Sequence, residues 1–109
     1  MKSLPHKIFV IDIQYNATLE KIDAAMINHI KFLKKQYDQH IFLASGRKNP
    51  RTGGIILSIA KTQTDVEKIM ATDPFIKLGF ATFTVTEFQT SQAHPAMKVL
   101  LDGLLGAQL

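Results

Sequence analysis

The segment from Lys7 to Tyr15 constrains the fold more than any other part of this chain. Ile8, Phe9, Val10, Ile11, Ile13 and Tyr15 form a short, nearly unbroken run of β-branched and aromatic side chains. A run of this length and type reads as a central strand buried on both faces. Asp12 and Gln14 interrupt it, and strand alternation puts both on the same face. A carboxylate there reads either as the solvent-wetted end of the strand or as part of a site.

The next segments supply the other layer. Asn16-Ala17-Thr18 stops the strand, Thr18 is a helix N-cap, and Glu20 falls in a first turn where the helix dipole favours negative charge. Ile22, Ala25, Met26, His29, Ile30, Leu33 and Tyr37 recur at three- and four-residue spacing, which predicts an amphipathic helix over roughly residues 19–37. His40 to Ser45 predicts a second strand and Ile55 to Ala60 a third. Between them lies a polar hairpin connection holding Arg47, Lys48, Asn49, Pro50, Arg51 and the pair Gly53-Gly54. Thr62 and Thr64 both offer N-caps, and Thr64-Asp65-Val66-Glu67 matches a capping box for a short helix that buries Val66, Ile69 and Met70. Asp73-Pro74 ends that helix, because proline disfavours helical geometry in the residue before it. Phe80 to Phe88 predicts a fourth strand with a threonine-rich face, Thr82, Thr84 and Thr86. Such a half-polar face packs on another subunit or lines a wet cavity. Ala96, Met97, Val99, Leu100, Leu101, Leu104 and Leu105 predict a final helix ending near Gly106, which must pack on the domain or on a partner chain.

The element order is β-α-β-β-α-β with an added C-terminal helix, the α+β, ferredoxin-like pattern. Two helices are expected on one face of a four-stranded antiparallel sheet, with the other face open to close against a second copy. A chain of 109 residues has no room for a second core, so residues 1–90 are read as one domain and 91–109 as a helical extension.

Composition excludes more than it identifies. With no cysteine there is no disulfide scaffold, thiolate metal site or cysteine nucleophile, which fits a reducing cytoplasm. The net charge is +4, but eleven of the thirteen basic residues are lysine, whereas phosphate and base recognition favour arginine. No apolar run approaches a membrane span, and Met1 to His6 leads into no secretory core, so a cytoplasmic chain without membrane contact is expected. Phosphate-loop, dinucleotide, zinc-protease and serine-hydrolase motifs are all missing. His6, His29, His40 and His94 have no ligand spacing, so no metal or other cofactor is expected. The third strand has no aromatic for base stacking, which argues against RNA binding.

His29 lies on the apolar stripe between Met26 and Leu33. A lone histidine there reads as a core or boundary residue unless a carboxylate can reach it. Asp73 is a candidate, since the two helices lie side by side in this topology, although Asp-Pro is also a common turn opener. A carboxylate beside an imidazole fixes its tautomer and supports proton transfer near neutral pH.

His29-x-x-Phe32-Leu33, Ala44-Ser45-Gly46, Thr52-Gly53-Gly54 and Asp73-Pro74-Phe75 followed by Gly79 together resemble the YCII-related (YciI-like) family over roughly residues 6–89. The resemblance implies ferredoxin-like subunits paired as a dimeric α/β barrel and a His/Asp active site. By position the catalytic pair is His29 and Asp73, and Ser45, Gly46 and Gly54 shape the pocket. One characterised branch eliminates chloride from a chlorinated muconolactone. The loop Arg47-Lys48-Asn49-Pro50-Arg51 departs from the shorter, less basic loop of many members; Arg47 or Lys48 there either steers a carboxylate or faces solvent. The expectation is a homodimeric lyase- or isomerase-type enzyme for a small anionic molecule. The alternatives are a non-catalytic ligand-binding dimer, or an interaction module that uses the C-terminal helix.

Overall fold

The computed structural model describes residues 7–108, with side chains described to residue 104. The segment Met1 to His6 and the side chain of Leu105, both read above, lie outside the described residues. Strand β1 (Lys7–Tyr15) pairs antiparallel with β3 (Gly53–Ile59) on one side and β4 (Ala81–Gln89) on the other. Strand β2 (Phe42–Arg47) adds to β3, giving the order β2-β3-β1-β4. Helix α1 (Leu19–Asp38) follows β1, and α2 (Gln63–Met70) and a short α3 (Pro74–Lys77) separate β3 from β4. Helix α4 (Pro95–Gln108) ends the described chain. The result is the ferredoxin-like βαββαβ arrangement with an antiparallel sheet and an added C-terminal helix. No helix among the described residues is long and apolar enough to cross a membrane.

Alternation along β1 divides the molecule. Phe9, Ile11 and Ile13 point to the helices and meet Ile22, Ala25 and Phe32 of α1, Val66 and Met70 of α2, and Phe75 of α3. The apolar stripe of α1 is turned slightly from its expected position: Phe32 and Gln36 are buried, while Ile30 is 47% exposed. The sheet takes one flank of the stripe, and the other flank faces a cavity. Ile8, Val10, Asp12 and Gln14 lie on the opposite sheet face, beside Phe88, Thr86, Thr84 and Thr82 of β4. That face is not uniformly open. Leu101 of α4 is fully buried against Ile8 and Ile59, with Leu43 and Leu104 packed around them. β1 is therefore sandwiched at its Ile8 end and half-exposed at Asp12.

Local chemistry sets the boundaries. Thr18 caps α1 by accepting from the Lys21 N–H at 3.3 Å. Thr62, not Thr64, caps α2, accepting from the Asp65 N–H at 3.2 Å. The capping box at Thr64 is unused because the helix has already begun at Gln63. β2 begins at Phe42, two residues after His40 takes a left-handed conformation (φ 61°) just beyond α1. Gly53 is required by a close approach: a Cβ there would stand 1.8 Å from the Ile13 carbonyl oxygen on β1.

Candidate functional site

A cavity of about 470 Å³ opens between α1 and the β2–β3 hairpin. Asp23, Met26, Ile30 and Leu33 form its helical wall, their three- and four-residue spacing placing them on one edge of α1. Ser45 and Arg47 alternate along β2, so both side chains face the helix side, opposite Ile56 and Gly54 of β3. Ile13, Ile56 and Phe75 close the apolar side, and His29 lies among them.

His29 is held from two directions. Its Nδ1 lies 2.8 Å from Oδ1 of Asp73. Its ring stacks on Phe75, with centroids 4.1 Å apart and planes 11° from parallel. Asp73 is fully buried, and the same Oδ1 accepts the Phe75 backbone N–H at 3.2 Å as the N-cap of α3. Pro74 at the first helical position suits this cap, since proline has no N–H to leave unsatisfied there. With Oδ1 acting as acceptor, Nδ1 is the donor, and in the neutral ring Nε2 carries the lone pair. Oδ2 of Asp73 is buried without a hydrogen-bond partner.

Two side-chain bridges cross from α1 to the hairpin. The Tyr37 and Ser45 hydroxyls share a hydrogen bond of 2.6 Å. Arg51 donates to Asp23 at 2.5 Å. That hydrogen bond, with the charges of Arg51 and Arg47, holds the Asp23 carboxyl below its ordinary value of 3.8, although desolvation works against it. The same bond to Asp23 raises the Arg51 guanidinium, with Tyr15 adding to the effect. The Arg47 side chain makes no hydrogen bond or ion pair among the described residues, although its charge acts on Asp23.

Of the residues read from sequence, His29, Ser45, Gly46, Arg47 and Gly54 line one cavity, and Asp73 stands directly behind His29. Lys48 does not join them. Its ammonium contacts Asp12 at 2.5 Å, which puts it on the other face of the sheet. Sequence reasoning missed Asp23, Tyr15 and the pairing of Tyr37 with Ser45. Asp23 carried one usable signal, its place three residues before Met26 on the edge continued by Ile30 and Leu33. Among the described residues, no group of three or more His, Asp or Glu side chains is arranged to hold a metal.

The family model of the YCII-related domain matches residues 7–89. No functionally curated protein is significantly similar to the chain. Among solved structures, the 5-chloro-2-hydroxyhydroquinone dehydrochlorinase of Burkholderia phenoliruptrix, in complex with 2,5-dihydroxybenzoquinone, superposes with a TM-score of 0.61 at 16% identity, covering 83% of this chain and 97% of that one. SnoaB, a cofactor-independent oxygenase from Streptomyces nogalater, gives a TM-score of 0.49 at 12% identity, covering 84% of this chain and 98% of that one.

Proposed function

The chain belongs to the YCII-related domain family, and from that membership and the cavity geometry we propose a cofactor-independent acid–base enzyme of lyase or isomerase type acting on a small anionic organic molecule. The observation that carries this reading is the His29–Asp73 contact of 2.8 Å at the wall of a cavity. In the proposed reaction, Nε2 of His29 takes a proton from a carbon next to a carbonyl. The C–H electron pair moves onto the carbonyl oxygen as an enolate. The enolate then either collapses with departure of a β-leaving group and its electron pair, or, where a carbon–carbon double bond is conjugated with it, takes the proton back from Nε2 at the far end of that bond, which shifts the double bond. Asp73 keeps the ring oriented and stabilises the imidazolium formed in the first step. Arg47 and the Ser45 hydroxyl are the groups available to bind the substrate's oxygens. The fold-sharing dehydrochlorinase belongs to the same reaction class.

The test is hydrogen exchange at carbon. Acetoacetate and levulinate are incubated in D₂O with wild type and with His29→Ala, and deuterium incorporation is followed by NMR. Acceleration by wild type that disappears in His29→Ala supports the reading. Equal exchange with both proteins refutes it.

We further infer that the chain self-associates as a homodimer. Thr82, Thr84, Thr86 and Phe88 are exposed on one sheet face, and Val99 and Leu100 are exposed on α4. Sedimentation velocity on the full chain tests this, with a monomer at all concentrations as the refuting result.

A further inference from the structure

The two bridges across the cavity stand on either side of His29. Along α1, Asp23 lies about 9 Å before His29 and Tyr37 about 12 Å beyond it, at 1.5 Å per residue. The Tyr37–Ser45 bridge is uncharged. The Asp23–Arg51 bridge is an ion pair, and Arg47 stands at the same end with no ion pair of its own. Asp23 pairs with Arg51 and also feels the charge of Arg47, so this end of the lining keeps a net positive charge, and Arg47 is the guanidinium there without a hydrogen-bonded partner. Guanidinium matches a carboxylate through two parallel hydrogen bonds. The wall beside it is apolar, made by Met26, Ile30 and Leu33.

We propose that the Asp23–Arg51 ion pair sets the charge selectivity of the cavity, which takes small carboxylates of one negative charge on a compact apolar body, held by Arg47, and rejects dianions. A second carboxylate at this end faces the negative charge of Asp23, which already holds one nitrogen of Arg51. The depressed Asp23 carboxyl accords with this, since the residue stays charged throughout the neutral range. The inference rests on the cavity being the ligand site of the reading above, but not on its chemistry.

The probes are benzoate, a monoanion, and phthalate, a dianion, titrated at pH 7 into the isotope-labelled full chain. Backbone amide shifts of Ser45, Gly46 and Gly54 report binding, and unchanged shifts in β4 report an intact fold. Wild type is expected to bind benzoate severalfold more tightly than phthalate. Asp23→Asn is expected to move that ratio toward phthalate by about tenfold, the size of one charge-assisted contact. Arg47→Gln is expected to weaken benzoate by about tenfold. Exchanging the pair, Asp23→Arg with Arg51→Asp, is expected to bring back the preference for benzoate. A ratio unchanged within twofold in Asp23→Asn, or no response of the cavity amides to either probe, overturns the inference. If selectivity follows these expectations while His29→Ala leaves hydrogen exchange unaltered, only the acid–base reading falls. If exchange depends on His29 but Asp23→Asn leaves the ratio unmoved, only the selectivity falls.

Discussion

Replacing Asp73 separates its two duties. Oδ1 caps α3 through the Phe75 N–H and anchors Nδ1 of His29. Asp73→Ala removes both contacts in a fully buried place. Loss of an N-cap costs about 1 kcal/mol. A buried imidazole N–H left without an acceptor costs about 1–3 kcal/mol more. The sum, about 2–4 kcal/mol, is a large share of the roughly 5–15 kcal/mol that holds a domain of this size together, and corresponds to a fall in Tm of about 10–20 °C. Asp73→Asn behaves differently. Its carbonyl oxygen accepts the same two hydrogens, while its amide puts two N–H donors where Oδ2 has no partner. The buried charge disappears as well. Its stability is expected to fall less than that of Asp73→Ala, because both hydrogen bonds to the oxygen are kept, with hydrogen exchange at carbon strongly reduced because no carboxylate remains to stabilise the imidazolium. Urea unfolding followed by circular dichroism measures the first quantity, and nitrogen-15 NMR of the imidazole reports whether the proton stays on Nδ1. If Asp73→Ala loses less than 1 kcal/mol, or Asp73→Asn loses as much as Asp73→Ala, the assignment of both hydrogen bonds to Oδ1 is wrong.

Other outcomes follow from the packing. Leu101→Ala opens a hole between α4 and the Ile8–Ile59 pair; about 2–3 kcal/mol of docking free energy is expected to go, seen as faster amide exchange along α4 while β1 and β3 stay protected. Gly53→Ala drives a Cβ into the Ile13 carbonyl, whereas the equivalent atom at Gly46 meets nothing within 4 Å. Chemical denaturation is therefore expected to show a large loss for Gly53→Ala and little for Gly46→Ala. The Asp23 carboxyl is lowered in the folded chain, so its pair with Arg51 contributes stability above the ordinary value of 3.8, and this is lost as pH falls through the lowered folded value. The stability difference between wild type and Asp23→Asn is expected to shrink in that acid range. A difference that grows there contradicts the sign.

The fold was legible because its signals are local. The run from Ile8 to Ile13, the stripe on α1 and the glycines of the hairpin each act through nearest neighbours. The His29–Asp73 pair was reachable because Asp73-Pro74 marks a break whose place in the topology lies beside α1. The destination of α4 was not legible. Leu101 and Leu104 are apolar enough to pack anywhere, and only the three-dimensional sheet shows that Ile8, Ile59 and Leu43 await them. Lys48 misled for a related reason: residues adjacent in a basic loop were read together, yet Arg47 and Lys48 emerge on opposite sides of the hairpin. Asp23 was passed over because a charged residue off an apolar stripe is usually only solvated, and its partner Arg51 is distant in sequence.

The way the cavity is closed has a consequence for the speed of ligand exchange. Both crossings from α1 to the hairpin are side chain to side chain, hydroxyl to hydroxyl at one end and carboxylate to guanidinium at the other. Neither needs the backbone to move in order to part. Rotamer changes of exposed side chains take picoseconds to nanoseconds, whereas hinged lids take microseconds or longer. Molecules therefore enter and leave at a rate set by diffusion and by the net positive field of Arg47, Arg51 and Asp23, and a salt-dependent association rate is the kinetic signature of this doorway.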